Sequence, residues 1–337
     1  HEIAVLAWWM CLTPVLEAPK TMAVCALQGA RRMRALALME AGIESLRVVC
    51  LFVAVTIERS AAAAVVGTLV ASALAGAVAV LAHRREARSD GAYLPSVGAA
   101  LACVRTVPLR VGLPLGMRLG VLRSTDALGL TVLPSLILKH VGELRGLSDA
   151  SAWVAYFRVA QRIMQIPVVL LTGISRTALP SLSQFAGAGD PERFKRLFLK
   201  ASLFGGALVS LGLVVGYPVM LFVVRLYDPE YREPVGELAG ILLIGLALAG
   251  FAGAMDSFYV ATNRLRVAIV ISLVGLVTTM PIVAWLVYRD PHHGVAWGLV
   301  VAYGWVIVHY TYVGIYFARG RHRVDMQRPP DAGAAPA

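Results

Sequence analysis

The side chains able to do chemistry in this chain are charged groups set inside apolar runs. Arg158 and Arg162 stand four apart in WVAYFRVAQRIMQIPVVLLTG, with Gln161 between them. Positions four apart share one face of a helix, so the two guanidiniums can grip one anion. The planar fork suits phosphate oxygens and keeps its charge. Arg118 and Arg123, in PLRVGLPLGMRLGVLRSTDALGL, offer the same chemistry. Each has a plainer alternative: Arg123 can pair with Asp126 one turn on, and Arg158 can reach back to the headgroup interface. Of the four, Arg162 lies deepest in its run and is the leading candidate. Asp126 and Asp256 are candidates for carrying a coupling proton or sodium ion, because a carboxylate in hydrocarbon is expensive unless it is used or paired.

Other charged pairs read as structural. Glu17 with Lys20 and Glu44 with Arg47, each three apart, are expected to form ion pairs within their helices. His292 and His293 are expected to be solvated rather than to bind metal. The sequence shows no nucleophile elbow, phosphate loop or metal-ligand spacing, so neither catalytic residues nor a metal nor a cofactor is expected, and the chain does not read as an enzyme.

These groups must be positioned by membrane-spanning helices. With 58% hydrophobic and 15% charged residues and a mean hydropathy of +0.72, the chain is too apolar for a soluble domain, in which about a quarter of residues are charged. The net charge of +11 sits in short clusters between apolar runs, which argues against nucleic acid. Cys11, Cys25, Cys50 and Cys103 have no metal-site spacing and are expected as buried free thiols. At about 20 residues per span, nine spans are predicted: 3–27, 36–57, 61–82, 110–138, 153–178, 198–224, 237–257, 267–288 and 294–317. Pro14, Pro114, Pro134, Pro167 and Pro281 fall inside them as kinks.

Counting Lys and Arg in the connections gives seventeen on one side, the C-terminal tail included, and six on the other. The positive-inside rule then puts the C-terminus in the cytoplasm and His1 outside. The charged loop from His83 to Arg105 is expected to be the longest link and to separate two lobes, 1–90 with three spans and 91–318 with six. In AGDPER, Asp190 is placed to cap a helix that starts at Pro191. Residues 319–337 are expected to be a disordered tail. The chain opens at His1 without a signal-peptide pattern, and is expected to be a fragment lacking its true start.

Taken together, PLRVGLPLGMRLGVLRSTDALGL, AYFRVAQRIMQIP, TALPSLSQFAGAGDPERF and RLYDPEYREPVGELAGILL resemble, in order and spacing, the second half of polysaccharide flippases. Those belong to the multidrug/oligosaccharidyl-lipid/polysaccharide exporter superfamily. CALQGARRMRALALMEAG resembles the basic link between that family's fourth and fifth helices. The polar connection LKHVGELRGLSDASAW departs from the family pattern by its length.

The resemblance implies an all-α, polytopic transmembrane bundle of the two-lobe, six-plus-six kind, lacking roughly its first three helices. It implies a bacterial inner-membrane transporter that flips an undecaprenyl-diphosphate-linked oligosaccharide by rocking two lobes about a midplane cavity. The partners implied are that lipid-linked substrate, membrane lipid, a glycan polymerase and glycosyltransferases. In this frame Arg162, Arg158, Arg118 and Arg123 are expected to hold the diphosphate, and Asp126 and Asp256 to couple the ion. The runner-up is a cation-coupled multidrug exporter of the same superfamily, which favours an acidic, aromatic cavity over a basic one. A membrane glycan polymerase or ligase is disfavoured by the shortness of every outer loop.

Overall fold

The computed structural model describes residues 2–30, 32–58, 60–88, 109–147, 149–164, 169–225 and 229–319. Among the described residues every regular element is helical. Seven stretches among the described residues are long and apolar enough to cross a membrane: Trp8–Gln28, Ala62–Arg88, Gly116–Leu144, Pro191–Phe222, Pro229–Ala261, Leu265–Arg289 and Gly294–Ala318. Large apolar side chains such as Leu81, Phe204, Val215 and Trp285 stand on the outside of these helices, as a hydrocarbon solvent requires. The chain divides into two compact units, residues 1–109 and 110–337.

The first unit contains α1 (Glu2–Met10), α2 (Thr13–Gly29), α3 (Met33–Ile57) and α4 (Ala61–Arg88). The expected first span is thus two helices. Pro14, in the first turn of α2, has no N–H to extend a helix from α1. The alanine-rich α4 packs on both α2 and α3 around Leu27, Leu36, Ile43, Ala75 and Ala79. Small residues let the backbones come close: a Cβ added at Gly67 would stand 2.8 Å from the Ala54 Cβ. Two cysteine expectations fail, since Cys11 and Cys25 are exposed, and Cys50 is half-buried. They lie on outer helix faces, where an apolar surround in sequence means lipid rather than core. Cys103, Pro167 and most of the expected lobe-separating loop lie outside the described residues. The start of that loop, through Arg88, is the helical end of α4.

The second unit contains α5 (Leu109–Ala127), a π-helical turn (Leu128–Val132), α6 (Leu133–Leu144), α7 (Ala150–Met164), α8 (Val169–Gly187), α9 (Pro191–Val224) and α10 (Pro229–Gly250). A 3₁₀ turn (Phe251–Ala254), α11 (Met255–Ala261), α12 (Leu265–Arg289), α13 (Gly294–Gly304) and α14 (Val306–Ala318) complete it. The polar LKHVGEL, expected in a long connection, is helical as the end of α6, and leaves only residues 145–149 to reach α7. Apolar Leu138 and Val141 on its inner face keep it folded against the core. The Asp190 cap forms: its Oδ1 accepts the Arg193 N–H at 3.0 Å, and Pro191 opens α9.

Two hydrophobic cores hold this unit. One joins Leu138, Phe157, Val209, Leu238, Val283 and Leu299. The other joins Leu182, Phe194, Phe198, Phe258, Leu265 and Tyr316, with its aromatic rings meeting edge to face. Close approach of α9 to the 3₁₀ turn depends on Gly206, where an added Cβ would fall 2.2 Å from the Phe251 ring.

Candidate functional site: a polar cavity walled by interrupted helices

A cavity of about 660 Å³ in the second unit is lined by residues of both cores. Its polar walls come from distant parts of the chain. Arg123, Thr125 and Asp126 come from α5, Asp256 and Tyr259 from α11, Ser272 and Thr279 from α12, and His309 from α14, with the rings of Tyr303 and Trp305 beside them. Arg123 Nη2 donates to Asp256 Oδ2 at 2.5 Å. Asp126 makes no hydrogen bond or ion pair among the described residues, although it is not exposed. The Tyr259 hydroxyl and His309 Nδ1 are 2.8 Å apart, and Trp305 Nε1 donates to Thr279 Oγ1 at 2.9 Å.

Two of the helical stretches around this cavity depart from regular α geometry beside it, and at each departure a side chain bonds the backbone. In the π turn, the Leu130 carbonyl would look to the N–H of residue 134 in a regular helix, but that residue is Pro134 and has none. Gln161, fully buried on α7, donates its Nε2 to that carbonyl at 2.6 Å. The neighbouring Thr131 carbonyl accepts from Ser135 Oγ at 2.8 Å, and Arg158 Nη1 approaches it at 3.5 Å. In the 3₁₀ turn, the Phe251 carbonyl accepts from the Tyr310 hydroxyl at 2.8 Å. Irregular backbone at membrane depth is tolerated only where it is buried in protein or lines a hydrated cavity, and transporters use such breaks to build ion and substrate sites.

Residues 144–285 match the MatE family model. The matched stretch is less than half of the chain and runs from the end of α6 to within α12, so it includes Arg158, Gln161, Arg162 and Asp256. MatE proteins are membrane transporters, not enzymes, and belong to the superfamily whose second half the sequence resembles. No curated protein matches the chain.

Of the residues singled out in the sequence, the fold brings Arg123, Asp126 and Asp256 into one cavity. Arg123 pairs with Asp256, 133 positions away, and not with Asp126 one turn on. Arg118, Arg158 and Arg162 are not in the wall of this cavity. Arg162 is exposed in the last turn of α7, where its charge also complements the helix C-terminus. The half-buried Arg158 turns toward the π turn. Sequence reasoning missed Tyr259, His309 and Tyr310; the signal for the last two is the polar run HYTY inside an otherwise apolar last span, and Tyr259 stands three residues after Asp256.

Two acidic residues of the first unit, Glu17 and Glu44, share one network. Arg47 bonds to both Glu17 and Glu44, Lys20 Nζ reaches Glu44 Oε1 at 3.0 Å, and Ser72 Oγ donates to Glu17 Oε1 at 3.1 Å. The expected Glu44–Arg47 pair is present, whereas Lys20 serves Glu44 across the helix interface rather than Glu17 on its own helix. Arg47 is long enough to bridge both helices, and it takes Glu17.

Proposed function

We propose that this chain is part of an ion-coupled membrane transporter whose substrate is an undecaprenyl-diphosphate-linked oligosaccharide, moved from the inner to the outer leaflet for cell-surface polysaccharide synthesis. The observation that carries the coupling is the cavity that gathers Asp126 and Asp256, residues 130 positions apart, between interrupted helices. Asp126 supplies the free carboxylate, and Asp256 exchanges between Arg123 and the incoming ion. The Tyr259–His309 pair beside them can pass or hold a proton. The substrate rests on the sequence resemblance and on α7, which carries Arg158 and the exposed Arg162 on one face for a diphosphate. In this reading the arginine-rich ends and the C-terminus face the cytoplasm of a bacterial inner membrane. Glycosyltransferases and a glycan polymerase supply and consume the substrate.

A second reading, a cation-coupled multidrug exporter, is favoured by the acidic and aromatic lining of this cavity, with Tyr259, Tyr303 and Trp305 around two carboxylates. The two are separated by one set of variants. Arg162→Ala is expected to weaken binding of the lipid diphosphate by roughly ten- to a hundred-fold, the loss of charge-assisted hydrogen bonds of about 1.5 to 3 kcal/mol. Arg162→Lys keeps the charge without the fork and is expected to fall between. Glycan export and protein level in the membrane are followed together. Normal export by Arg162→Ala at normal protein level sinks the diphosphate assignment, and gradient-driven efflux of cationic dyes that depends on Asp126 then selects the multidrug reading.

A further inference from the structure

A carrier needs its ion site and its substrate site to sense each other, and two hydrogen bonds from α7 reach the π turn, the short one from Gln161 to the Leu130 carbonyl and a longer one, 3.5 Å, from Arg158 to the Thr131 carbonyl. Asp126 stands two residues before the π turn, on α5, and the π turn's Gly129 and Leu130 are themselves in the cavity wall. Arg158 and Arg162 stand on α7, three residues before and one residue after Gln161. The Gln161 side chain, buried on α7, crosses to the Leu130 carbonyl at 2.6 Å.

Pro134 makes that bond matter. In a helix without proline the Leu130 carbonyl would be served by its own chain, and a glutamine on a neighbouring helix would add little. Pro134 removes that donor, so the bond from α7 meets a backbone acceptor that the regular ladder cannot satisfy. A π turn marks a place where a helix can change register, and such turns recur at functional sites. We propose that Gln161 is a latch: it transmits the state of Asp126, through the π turn, to the position of the arginine face of α7. The residue touches neither ion nor substrate and is therefore a positioning residue. This rests on the reading of Asp126 as the coupling carboxylate.

The physical content is a two-state element biased from both ends, which is what coupling requires. With the latch made, a change at Asp126 that moves the π turn must drag α7 with it. With the latch broken, the π turn moves and α7 does not follow.

The test uses the full-length protein in lipid nanodiscs, with native cysteines replaced and spin labels at Gly120→Cys on α5 and Ser151→Cys on α7. Both positions are exposed, and a Cβ at Gly120 meets no atom within 4 Å. Asp126→Asn mimics the protonated carboxylate. In the otherwise native protein it is expected to shift the label distance by on the order of 2 Å, the scale of helix shifts in switching proteins. Gln161→Met, similar in shape but without a donor, is expected to abolish the response, so that the double variant gives the same distances as Gln161→Met alone. Pro134→Ala returns an N–H to the Leu130 carbonyl, makes the glutamine redundant and is expected to blunt the response without any change on α7. A double variant that responds to Asp126→Asn as fully as the native chain does overturns the latch. So does a native chain in which Asp126→Asn moves nothing. Gradient-driven transport then tells the two ideas apart: if Asp126→Asn abolishes transport without moving α7, the ion site stands and the latch falls.

Discussion

The two units of this chain handle membrane-depth charge in opposite ways. In the first, Glu17, Lys20, Glu44 and Arg47 satisfy one another, with Ser72 completing Glu17, and two acids are balanced by two bases. In the second, Arg123 bonds to Asp256, and Asp126 stands in the wall of a 660 Å³ cavity with no hydrogen bond or ion pair among the described residues. A saturated network stabilises one arrangement, because moving any member strands another. An unsaturated one leaves a carboxylate whose natural partner is a mobile ion. Under the proposed coupling, the first unit is the scaffold and the second the place where the ion is taken up and released.

The largest effect that should separate them is on stability. Arg47→Met strands Glu17 and Glu44 with Lys20 as their sole remaining cation. Breaking such a partly buried network on one side costs more than a surface pair's ~1 kcal/mol and less than a fully buried pair's ~3 to 5 kcal/mol. The variant should be depleted from the membrane and unfold well below the native chain in detergent. Glu17→Gln in the same background should recover part of the loss, since it removes a charge that Arg47 no longer balances. Unchanged thermal unfolding of Arg47→Met would show that the network is peripheral, and would remove the contrast between the units.

A smaller effect is expected from the matching change in the second unit. The Arg123 side chain is 68% exposed, so Arg123→Met should cost no more than about 1 kcal/mol and leave the unfolding temperature within a few degrees. Its consequence should be functional: with Asp256 freed, the cavity holds a second unpaired carboxylate and should retain its ion longer. Transport at saturating substrate should slow while the protein level stays normal. If Arg123→Met unfolds as readily as Arg47→Met, the Arg123–Asp256 pair is a structural strut and the cavity is not an exchange site.

Much of this architecture is legible in the sequence because hydrocarbon imposes a simple rule on composition. Nine spans are expected and seven stretches among the described residues are long and apolar enough, because 36–57 lies on α3 with its charged first half and 153–178 falls on two helices, α7 and α8. Asp190-Pro191 marks a helix start that forms as read. What stayed hidden is pairing across helices. Arg123 has Asp126 within one turn, and nothing local indicates that Asp256 wins. Lys20 leaves its expected partner Glu17 for Glu44, and Arg47 keeps Glu44 and adds Glu17, for the same reason, namely that side-chain reach across a packed interface depends on helix rotation. The exposed Cys11 and Cys25 show the complementary failure, since an apolar neighbourhood does not say whether lipid or protein supplies it. Pro134 and Gln161 were each visible as costly residues, but the 2.6 Å bond that makes one the remedy for the other needed the fold.

The smallest effect comes from a third arrangement, in the loop between α12 and α13, where charges are paired but reachable by solvent. His293 places Nδ1 3.1 Å from Asp290 Oδ2 and Nε2 2.9 Å from Glu237 Oε2 on α10, and the His292 ring lies against Trp153 of α7. Burial alone would lower the imidazole's pKa, but the hydrogen bonds to Glu237 and Asp290 outweigh it and hold the group above its ordinary 6.5. For Asp290, burial is again the largest single influence and raises the pKa, yet the His293 and His292 N–H groups together with the His293 ring bring it below the ordinary 3.8. The folded chain thus keeps the His293 proton longer than the unfolded chain does. Its contribution is fully present below pH 6.5 and is lost as pH rises through the raised value, because a neutral ring has one N–H and must release one carboxylate. The Asp290 contribution is present above about pH 4 and is lost as pH falls through its lowered value. The clamp should therefore be tightest between roughly pH 4 and 6.5. Its worth is that of a partly exposed ion pair, about 0.2 to 1 kcal/mol. His293→Gln should flatten the fall in unfolding temperature that the native chain shows above pH 6.5, while Arg47→Met should leave that slope in place. A His293→Gln variant with the native pH slope would assign the slope to another group, and would leave the saturated network of the first unit as the only paired cluster with a measurable stake in stability.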